Sequence, residues 1–317
     1  MVSRRATAPD GAPRSYPPVF PAGPDAVVVA APAKLNLYLE VLGKRADGFH
    51  ALETLMVAVD LFDTLELRPR PDATLALTCA PPGLPTGPDN LVYNAADCLR
   101  RRANRPDLGA TIHLTKRIPA QAGLAGGSSD AAAALIGLNR VWNLALPKAD
   151  LAAVAAEVGS DVAFFLDLPA AWCTGRGELV TPEPGGAQLH AVLVCPPVGL
   201  GTADVFRRVV VPAVQQDGMA VRAAFRAGDA DALGRALFNR LAAPAFGLAP
   251  LVETVYRRLS DQNPSGCLMS GSGSAVFALC RGPADAARVA SGFRAATPPG
   301  EPASRIQMVR TLHIAPA

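Results

Sequence analysis

Residues 118–140, IPAQAGLAGGSSDAAAALIGLNR, constrain the fold more tightly than any other stretch. A proline and a glycine cluster are followed by apolar residues at helical spacing: Ala131, Ala134, Leu135, Leu138 and Trp142. The spacing predicts a helix from about Ser128 to Trp142 that starts in the glycine loop. Small residues let a main chain approach a ligand, and a helix N-terminus attracts anions, so the segment favours a phosphate site. A glycine-rich helix start without any ligand is the alternative.

The loop departs from two common nucleotide-binding patterns. The pattern G-x-x-x-x-G-K-[ST] requires a lysine after the last glycine, where this chain has Ser128. The pattern G-x-G-x-x-G requires a second glycine, where this chain has Ala125. If the loop binds phosphate, the accompanying lysine must come from elsewhere in the sequence.

Composition favours a small-molecule ligand. Half of the 317 residues are hydrophobic, so a buried core is available, and 30 basic against 27 acidic residues leave a net charge of only +3. This charge is too small to indicate nucleic acid or an anionic membrane as partner. The six cysteines are scattered without a C-x-x-C pair, which predicts reduced thiols, no metal cluster and a cytoplasmic protein.

Proline and glycine divide the chain. Residues 1–24 hold six prolines and no apolar run, which predicts a disordered tail without a signal peptide. The sequence PEPGG at 182–186 predicts a boundary between a domain at 25–183 and a second one at 184–317. Helices are expected around 202–210, 219–241, 247–260 and 283–295. Proline, glycine and serine interrupt the uncharged stretches 184–203 and 262–280, so no membrane-spanning helix is expected.

A strand near the start supplies a candidate lysine. From Val27 onward the chain alternates, which places Leu35, Leu37, Leu39 and Val41 on one face and Lys34, Asn36, Tyr38 and Glu40 on the other. Lys34 and Asn36 therefore share a face, where a buried ammonium can act on a phosphate or a hydroxyl. A solvent-facing lysine on an edge strand is the ordinary alternative.

Three further positions carry chemistry or an ordinary structural role. Asp161, before an apolar run, suits a general base or a helix N-cap. Phe49 and His50 follow a turn signal and suit base stacking or plain hairpin packing. Gly271 and Gly273 suit a hairpin connection or an anion-binding nest.

Taken together, three motifs resemble a known superfamily. They are PAKLNLYLEVLGKRADGFHALET at 32–54, KRIPAQAGLAGGSSDAAAAL at 116–135 and SGSGSAVFAL at 270–279. In this order they resemble the small-molecule kinases named for galactokinase, homoserine, mevalonate and phosphomevalonate kinases. The first motif is similar to that of the family that phosphorylates 4-diphosphocytidyl-2-C-methyl-D-erythritol. The resemblance spans roughly residues 27–312.

The resemblance implies a fold and a reaction. The fold is α+β with two domains, an N-terminal domain like ribosomal protein S5 domain 2 and a ferredoxin-like C-terminal domain. The reaction is transfer of the ATP γ-phosphoryl group to the 2-hydroxyl of the cytidine diphosphate substrate, with Mg²⁺ expected, in the non-mevalonate route to isoprenoid precursors. The resemblance gives neither the metal ligands nor the oligomeric state.

The resemblance also implies roles for individual residues. The catalytic pair is Lys34 and Asp161. The cytidine end of the substrate is assigned to Asn36, Phe49 and His50, with Phe206 as a second stacking ring and Thr202 near the same pocket. The ATP phosphates are assigned to the loop Pro119, Ala120, Gln121, Ala122, Gly123, Leu124, Ala125, Gly126, Gly127, Ser128 and Ser129.

The chain departs from the family pattern at three positions. Gln121 and Ala125 replace glycines that are usual in the loop, and Phe49 replaces a frequent tyrosine. Two other functions are considered. A mevalonate-type or homoserine-type kinase, or a decarboxylase of this superfamily, is disfavoured by the cytidine signature. A nucleotide-binding protein without catalysis is disfavoured by the presence of both Lys34 and Asp161.

Overall fold

A computed structural model describes residues 17–185 and 187–312. The strands are β1 (Val19–Pro21), β2 (Val27–Lys44), β3 (His50–Arg70), β4 (Leu75–Ala80), β5 (Gly109–Thr115), β6 (Ala170–Thr174), β7 (Leu179–Pro182), β8 (His190–Cys195), β9 (Phe238–Asn239), β10 (Gly266–Met269), β11 (Val276–Cys280) and β12 (Arg305–Arg310). The helices are α1 (Leu91–Arg102), α2 (Gly126–Val141), α3 (Lys148–Val158), α4 (Thr202–Phe206), α5 (Met219–Ala227), α6 (Ala230–Ala236), α7 (Ala242–Leu248), α8 (Pro250–Ser260) and α9 (Pro283–Ala295), with a short 3₁₀ helix at Ala163–Leu166.

Two sheets organise these elements. The first has the order β1-β2-β3-β5-β4; β6 also pairs with β3, β7 pairs with β6, and β9 pairs in parallel with β2. The second is the antiparallel sheet β10-β11-β8-β12. The mixture of sheets and helices agrees with the α+β prediction. Within the described residues, no helix combines the length and apolar character that crossing a membrane requires.

Three apolar clusters fill the layers. One packs α1, α2 and α3 on the first sheet, and another packs α7, α8 and α9 on the second. The third joins the two halves of the chain, since Leu35 and Val57 contact the same core as Leu193 and Phe277. The strand β8 shows the layering, because Leu193 faces the shared core while Val192 and Val194 face the helices.

Contacts between the two halves of the chain cross the predicted domain boundary. The second sheet does begin with β8, after the PEPGG segment, of which Gly186 lies outside the described residues. However, β9 pairs with β2 of the first sheet, and Leu312 N donates to Ala58 O. The division at 183/184 stays a prediction, and the two halves are packed against each other across an apolar layer.

The structure corrects the predicted tail. Residues 1–16 lie outside the described residues, whereas 17–24 belong to the fold. Within them β1 pairs antiparallel with the start of β2, from Val19 opposite Val29 to Pro21 opposite Val27. The proline-rich composition suggested disorder. It is nevertheless compatible with this short strand, because an edge strand tolerates proline where no ladder hydrogen bond is needed.

The alternation predicted for β2 is correct only up to Leu37. A bulge between Asn36 and Tyr38 shifts the register, so Leu35, Leu37 and Tyr38 all pack in the shared core. Beyond the bulge, Leu39 and Val41 pack in the cluster of the second sheet. Because a bulge inserts one residue into a strand, it exchanges the faces of everything that follows.

The helix predicted over 219–241 is also wrong, because it is divided into α5, α6 and the strand β9. Gly228 ends α5 in the left-handed region, with φ of 67°. Asp229 then starts α6, since its side chain accepts hydrogen bonds from Asp231 N and Ala232 N. The division allows Phe238 and Asn239 to reach the first sheet.

A close helix–strand contact explains one glycine and gives a testable prediction. A Cβ added at Gly234 of α6 would overlap the carbonyl oxygen of Ser265, next to β10. We expect Gly234→Ala to lower the free energy of unfolding by about 3 kcal/mol, because the obstacle is main chain and cannot rotate away. Gly247→Ala in α7 meets no atom within 4 Å and serves as control, with an expected gain of about 0.5–1 kcal/mol. Urea denaturation measures both, and equal stabilities would contradict the packing argument.

Candidate active site

The glycine loop lies between β5 and α2, next to β2. Lys34 N donates to Leu124 O at 3.1 Å, and Ala275 N donates to Ala122 O at 3.1 Å. These bonds fix the loop to β2 on one side and to the connection between β10 and β11 on the other. The loop therefore meets the predicted catalytic strand and the second predicted glycine turn at one place.

The two loop positions where the chain lacks a usual glycine have left-handed backbone. The φ angle is 52° at Gln121 and 53° at Ala125, close to the 73° of Gly123. Glycine adopts this region without a steric penalty, whereas other residues pay about 1 kcal/mol or more. Gln121 and Ala125 therefore each carry local strain in this loop.

Lys34 is buried beneath this loop. Its side chain is buried, and Nζ donates to Asn36 Oδ1 at 2.5 Å and to Gly123 O at 2.8 Å. Burial lowers the pKa of the Lys34 ammonium below its ordinary value of 10.5, while the charges of Asp161 and Cys173 oppose that effect. The lysine is thus a desolvated cation on the wall of the cavity, and not a solvent-facing edge residue.

Asp161 lies beside this lysine. Its Oδ2 is 3.9 Å from Lys34 Nζ, and its side chain is about one third exposed. The residue follows α3 and precedes the 3₁₀ helix, whose N-cap is Val162, so Asp161 is not the cap of that helix. The carboxylate therefore faces both the ammonium and the open cavity.

Asn36 makes its side-chain hydrogen bonds beside Lys34. Besides accepting from Lys34, it donates through Nδ2 to Thr54 Oγ1 at 2.7 Å. The β2–β3 register pairs Asn36 with Met56, but pairs His50 with Lys44 at the far end of the hairpin. The resemblance assigned Asn36, Phe49 and His50 together to the cytidine end; the hairpin separates Asn36 from the other two, all three line one cavity, and the assignment of Asn36 stays a prediction.

At the far end of the hairpin, the aromatic residues that the resemblance assigned to the substrate line the cavity. The rings of His50 and Phe206 have centroids 5.2 Å apart. Phe49 is half exposed, and the guanidinium of Arg176 lies 4.8 Å from the centre of its ring. Burial lowers the pKa of His50, with a smaller contribution from Lys44. This end of the cavity offers flat apolar faces beside cations.

A single cavity of about 1220 Å³ connects these parts. Its wall includes Lys34, Asn36, Phe49, His50, Asp161, Thr202, Phe206 and every loop residue from Pro119 to Ser128. Ser129, also assigned to the phosphates, differs: its side chain is buried and does not line the cavity. The reason is helical geometry, which turns adjacent side chains about 100° apart, so only Ser128 faces outward.

Several wall residues were not predicted. Sequence reasoning did not identify Asn90, Arg176, Ser272 or Lys116, all of which line the cavity. Asn90 caps α1 by accepting from Val92 N at 2.9 Å, and Thr202 Oγ1 is 3.0 Å from Ser272 Oγ. Only the glycine-serine turn carried a sequence signal, and it forms the hairpin connection of β10 and β11 beside the loop.

Lys116 lies directly under the loop in a buried charge cluster. Its Nζ donates to Asp63 and, at 2.7 Å, to Asp130 Oδ2. Asp63 also accepts from Ile118 N at 2.9 Å, which joins β3 to the start of the loop. Burial raises the pKa of Asp130 to about 8. A second lysine therefore supports the phosphate-shaped loop from below.

Comparison with known proteins agrees with this geometry. The family models described as GHMP kinases N terminal domain and GHMP kinases C terminal match residues 90–173 and 221–298. A 4-diphosphocytidyl-2-C-methyl-D-erythritol kinase from Shouchella clausii is 40% identical over 267 residues, covering 84% of this chain and 90% of the relative. One from Pelotomaculum thermopropionicum is 40% identical over 270 residues, covering 84% and 94%.

Solved structures extend the comparison. A crystal structure of 4-(cytidine 5'-diphospho)-2C-methyl-D-erythritol kinase is 35% identical, with a TM-score of 0.72 and coverage of 89% of this chain and 98% of that one. A homoserine kinase from Cytophaga hutchinsonii reaches a TM-score of 0.73 at only 22% identity, covering 91% and 96%, so it supports the fold alone. The predicted two-domain α+β fold is confirmed. This chain belongs to the GHMP kinases and, within them, to the 4-diphosphocytidyl-2-C-methyl-D-erythritol kinase family.

Proposed function

We propose that this kinase transfers the γ-phosphoryl group of ATP to the 2-hydroxyl of 4-diphosphocytidyl-2-C-methyl-D-erythritol, giving the 2-phosphate and ADP. The observation that carries the proposal is the Lys34–Asp161 pair beside the amide-lined loop, in a cavity whose other end is aromatic. The identity to named relatives supports the substrate, since the fold itself is shared with homoserine kinase. A cytoplasmic location stays a prediction.

The proposed chemistry starts at a tertiary alcohol, which is a poor nucleophile. Asp161 accepts the proton of the 2-hydroxyl while the oxygen of that hydroxyl forms a bond to the γ-phosphorus. The bond from that phosphorus to the bridging oxygen of ADP breaks at the same time. Lys34 stabilises the ionised carboxylate of Asp161 and the developing negative charge, and Asn36 fixes the direction of the ammonium.

The loop binds the phosphate chain in this proposal. The first turn of α2, from Gly126 to Ser128, presents main-chain N–H groups and the positive end of a helix dipole. Lys116, whose charge is compensated by Asp63 and Asp130, supports the loop from below. The aromatic side chains Phe49 and Phe206 hold the cytosine ring at the other end of the cavity.

The residues at the start of α2 fit the expected Mg²⁺. Among the described residues, no three His, Cys, Asp or Glu side chains form a protein-only metal site. Mg²⁺ beside phosphates needs only one or two protein oxygens. In the described part of the chain, Ser129 Oγ and Asp130 Oδ1 are buried without a hydrogen-bond partner. Of these two residues only Asp130 lines the cavity, so its Oδ1 and the Ser128 hydroxyl would hold the ion, whose charge would offset that of the phosphate oxygens.

An acceptor comparison tests the proposal. ADP formation from ATP is measured with the cytidine diphosphate substrate, mevalonate and homoserine as separate acceptors. We expect kcat/KM for the first to exceed that for the others by at least about 10³-fold, because they leave the aromatic end of the cavity unoccupied. Turnover of mevalonate or homoserine at a comparable kcat/KM would overturn the substrate assignment.

A further inference from the structure

Asn239 is a buried polar side chain that none of the steps above uses. It lies on β9, opposite Leu39 of β2, and is 6% exposed. Its Nδ2 donates to Met269 O and to Gly271 O, both at 2.8 Å, and its Oδ1 accepts from Leu241 N at 2.9 Å. The amide thus connects the end of β10 to the turn that follows it.

That turn, residues 270–273, closes over Lys34. Gly271 has a φ of 55°, and a Cβ there would lie 3.0 Å from Lys34 Nζ and 3.3 Å from Asn36 Oδ1. Ser270 Oγ donates to Gly123 O at 3.0 Å and accepts from Asn36 N at 3.3 Å. The main chain of the turn therefore fills the space in which water would otherwise reach the ammonium.

We propose that Asn239 is a positioning residue for the transfer reaction, which holds the 269–271 main chain against Lys34 and the glycine loop. The inference rests on the proposed function. The Nδ2 group of Asn239 donates two hydrogen bonds to carbonyl oxygens that lie two residues apart, and these bonds define the path of the turn. An apolar side chain cannot replace them. The side chain does not touch the cavity, so it acts only through the turn.

The consequence for Lys34 can be measured. Burial is the main reason for its lowered pKa, and the groups facing it are Asp161 after α3 and Cys173 on β6. If the turn moves away, water enters, and the pKa of Lys34 rises toward 10.5. The activity that depends on the protonated lysine then persists to higher pH.

The test compares Asn239→Ala and the milder Asn239→Ser with Asn139→Ala. Asn139 makes the same kind of brace, donating to Leu146 O at 3.1 Å and accepting from Leu146 N at 3.0 Å, away from the cavity. We expect kcat of the Asn239 variants to fall about 10- to 100-fold, with KM for ATP changed less than about threefold. In both Asn239 variants, the fall of kcat on the alkaline side of the pH profile (the alkaline limb) should move to higher pH. Asn139→Ala should leave both kcat and the position of this limb unchanged.

The pH position of the limb does not depend on the fraction of folded protein, so a poorly folding variant is still informative from its residual activity. An unmoved limb in both Asn239 variants would overturn the positioning role. Failure of the unsubstituted protein to form ADP from the cytidine diphosphate substrate would instead overturn the proposed function. The two failures are therefore distinguishable in one series of assays.

Discussion

Asp161→Asn is expected to lower kcat by about 10³-fold while the protein stays folded. The amide keeps the size of the side chain but cannot take the proton of the acceptor hydroxyl, and general base catalysis is worth 10²- to 10⁴-fold. Because Asp161 is partly exposed and its ion-pair distance to Lys34 is 3.9 Å, little stability depends on it. Steady-state ADP formation at saturating substrates measures the effect, and KM for ATP should change little.

The exposed pair Lys148–Asp167 supplies a matched control. These residues also form a lysine–aspartate ion pair, but they do not line the cavity. Asp167→Asn should retain the kcat of the unsubstituted enzyme. An Asp161→Asn variant with kcat within tenfold of the original would show that another group accepts the proton.

Lys34→Met is expected to lower kcat by a similar factor, about 10³-fold, for a different reason. Methionine preserves the volume and apolar packing but removes the cation beside Asp161. The substitution also leaves Asn36 Oδ1 without its donor and Gly123 O with Ser270 Oγ alone, so some loss of thermal stability accompanies it. Lys148→Met serves as the control, with kcat unchanged.

The pH dependence of kcat tests whether the charge on Lys34 is needed for turnover. Since burial lowers its pKa below 10.5, the ammonium loses its proton earlier than an exposed lysine. The kcat of the unsubstituted enzyme should therefore fall on the alkaline side before pH 10.5, and the residual activity of Lys34→Met should lack that limb. Identical alkaline limbs in both proteins would exclude Lys34 as the titrating group.

The local structural elements of the site were predictable from the sequence. The small residues of 123–129 indicate a close-approach loop, and the apolar spacing beyond them indicates the helix that completes it. The shared face of Lys34 and Asn36 follows from strand alternation over two residues, with no register shift between them. Short-range periodicity is reliable because it depends on only a few consecutive dihedral angles.

Predictions that extended over longer distances were less successful. The face assignment of β2 was wrong after the bulge near Leu37, and the helix over 219–241 was wrong at Gly228. The family resemblance assigned Asn36 to the cytidine end together with Phe49 and His50. In the folded chain, the length of the β2–β3 hairpin separates them.

The sequence by itself determined a loop able to receive phosphate, a strand carrying a lysine, and the resemblance that joined the two to a kinase family. Only the tertiary structure decided that Asp161 faces Lys34, that Lys116 supports the loop, and that Asn239 holds the turn over the ammonium. The physical reason is that these contacts join residues far apart in the chain. Their proximity is set by two sheets packing on one shared apolar layer, which no local pattern encodes.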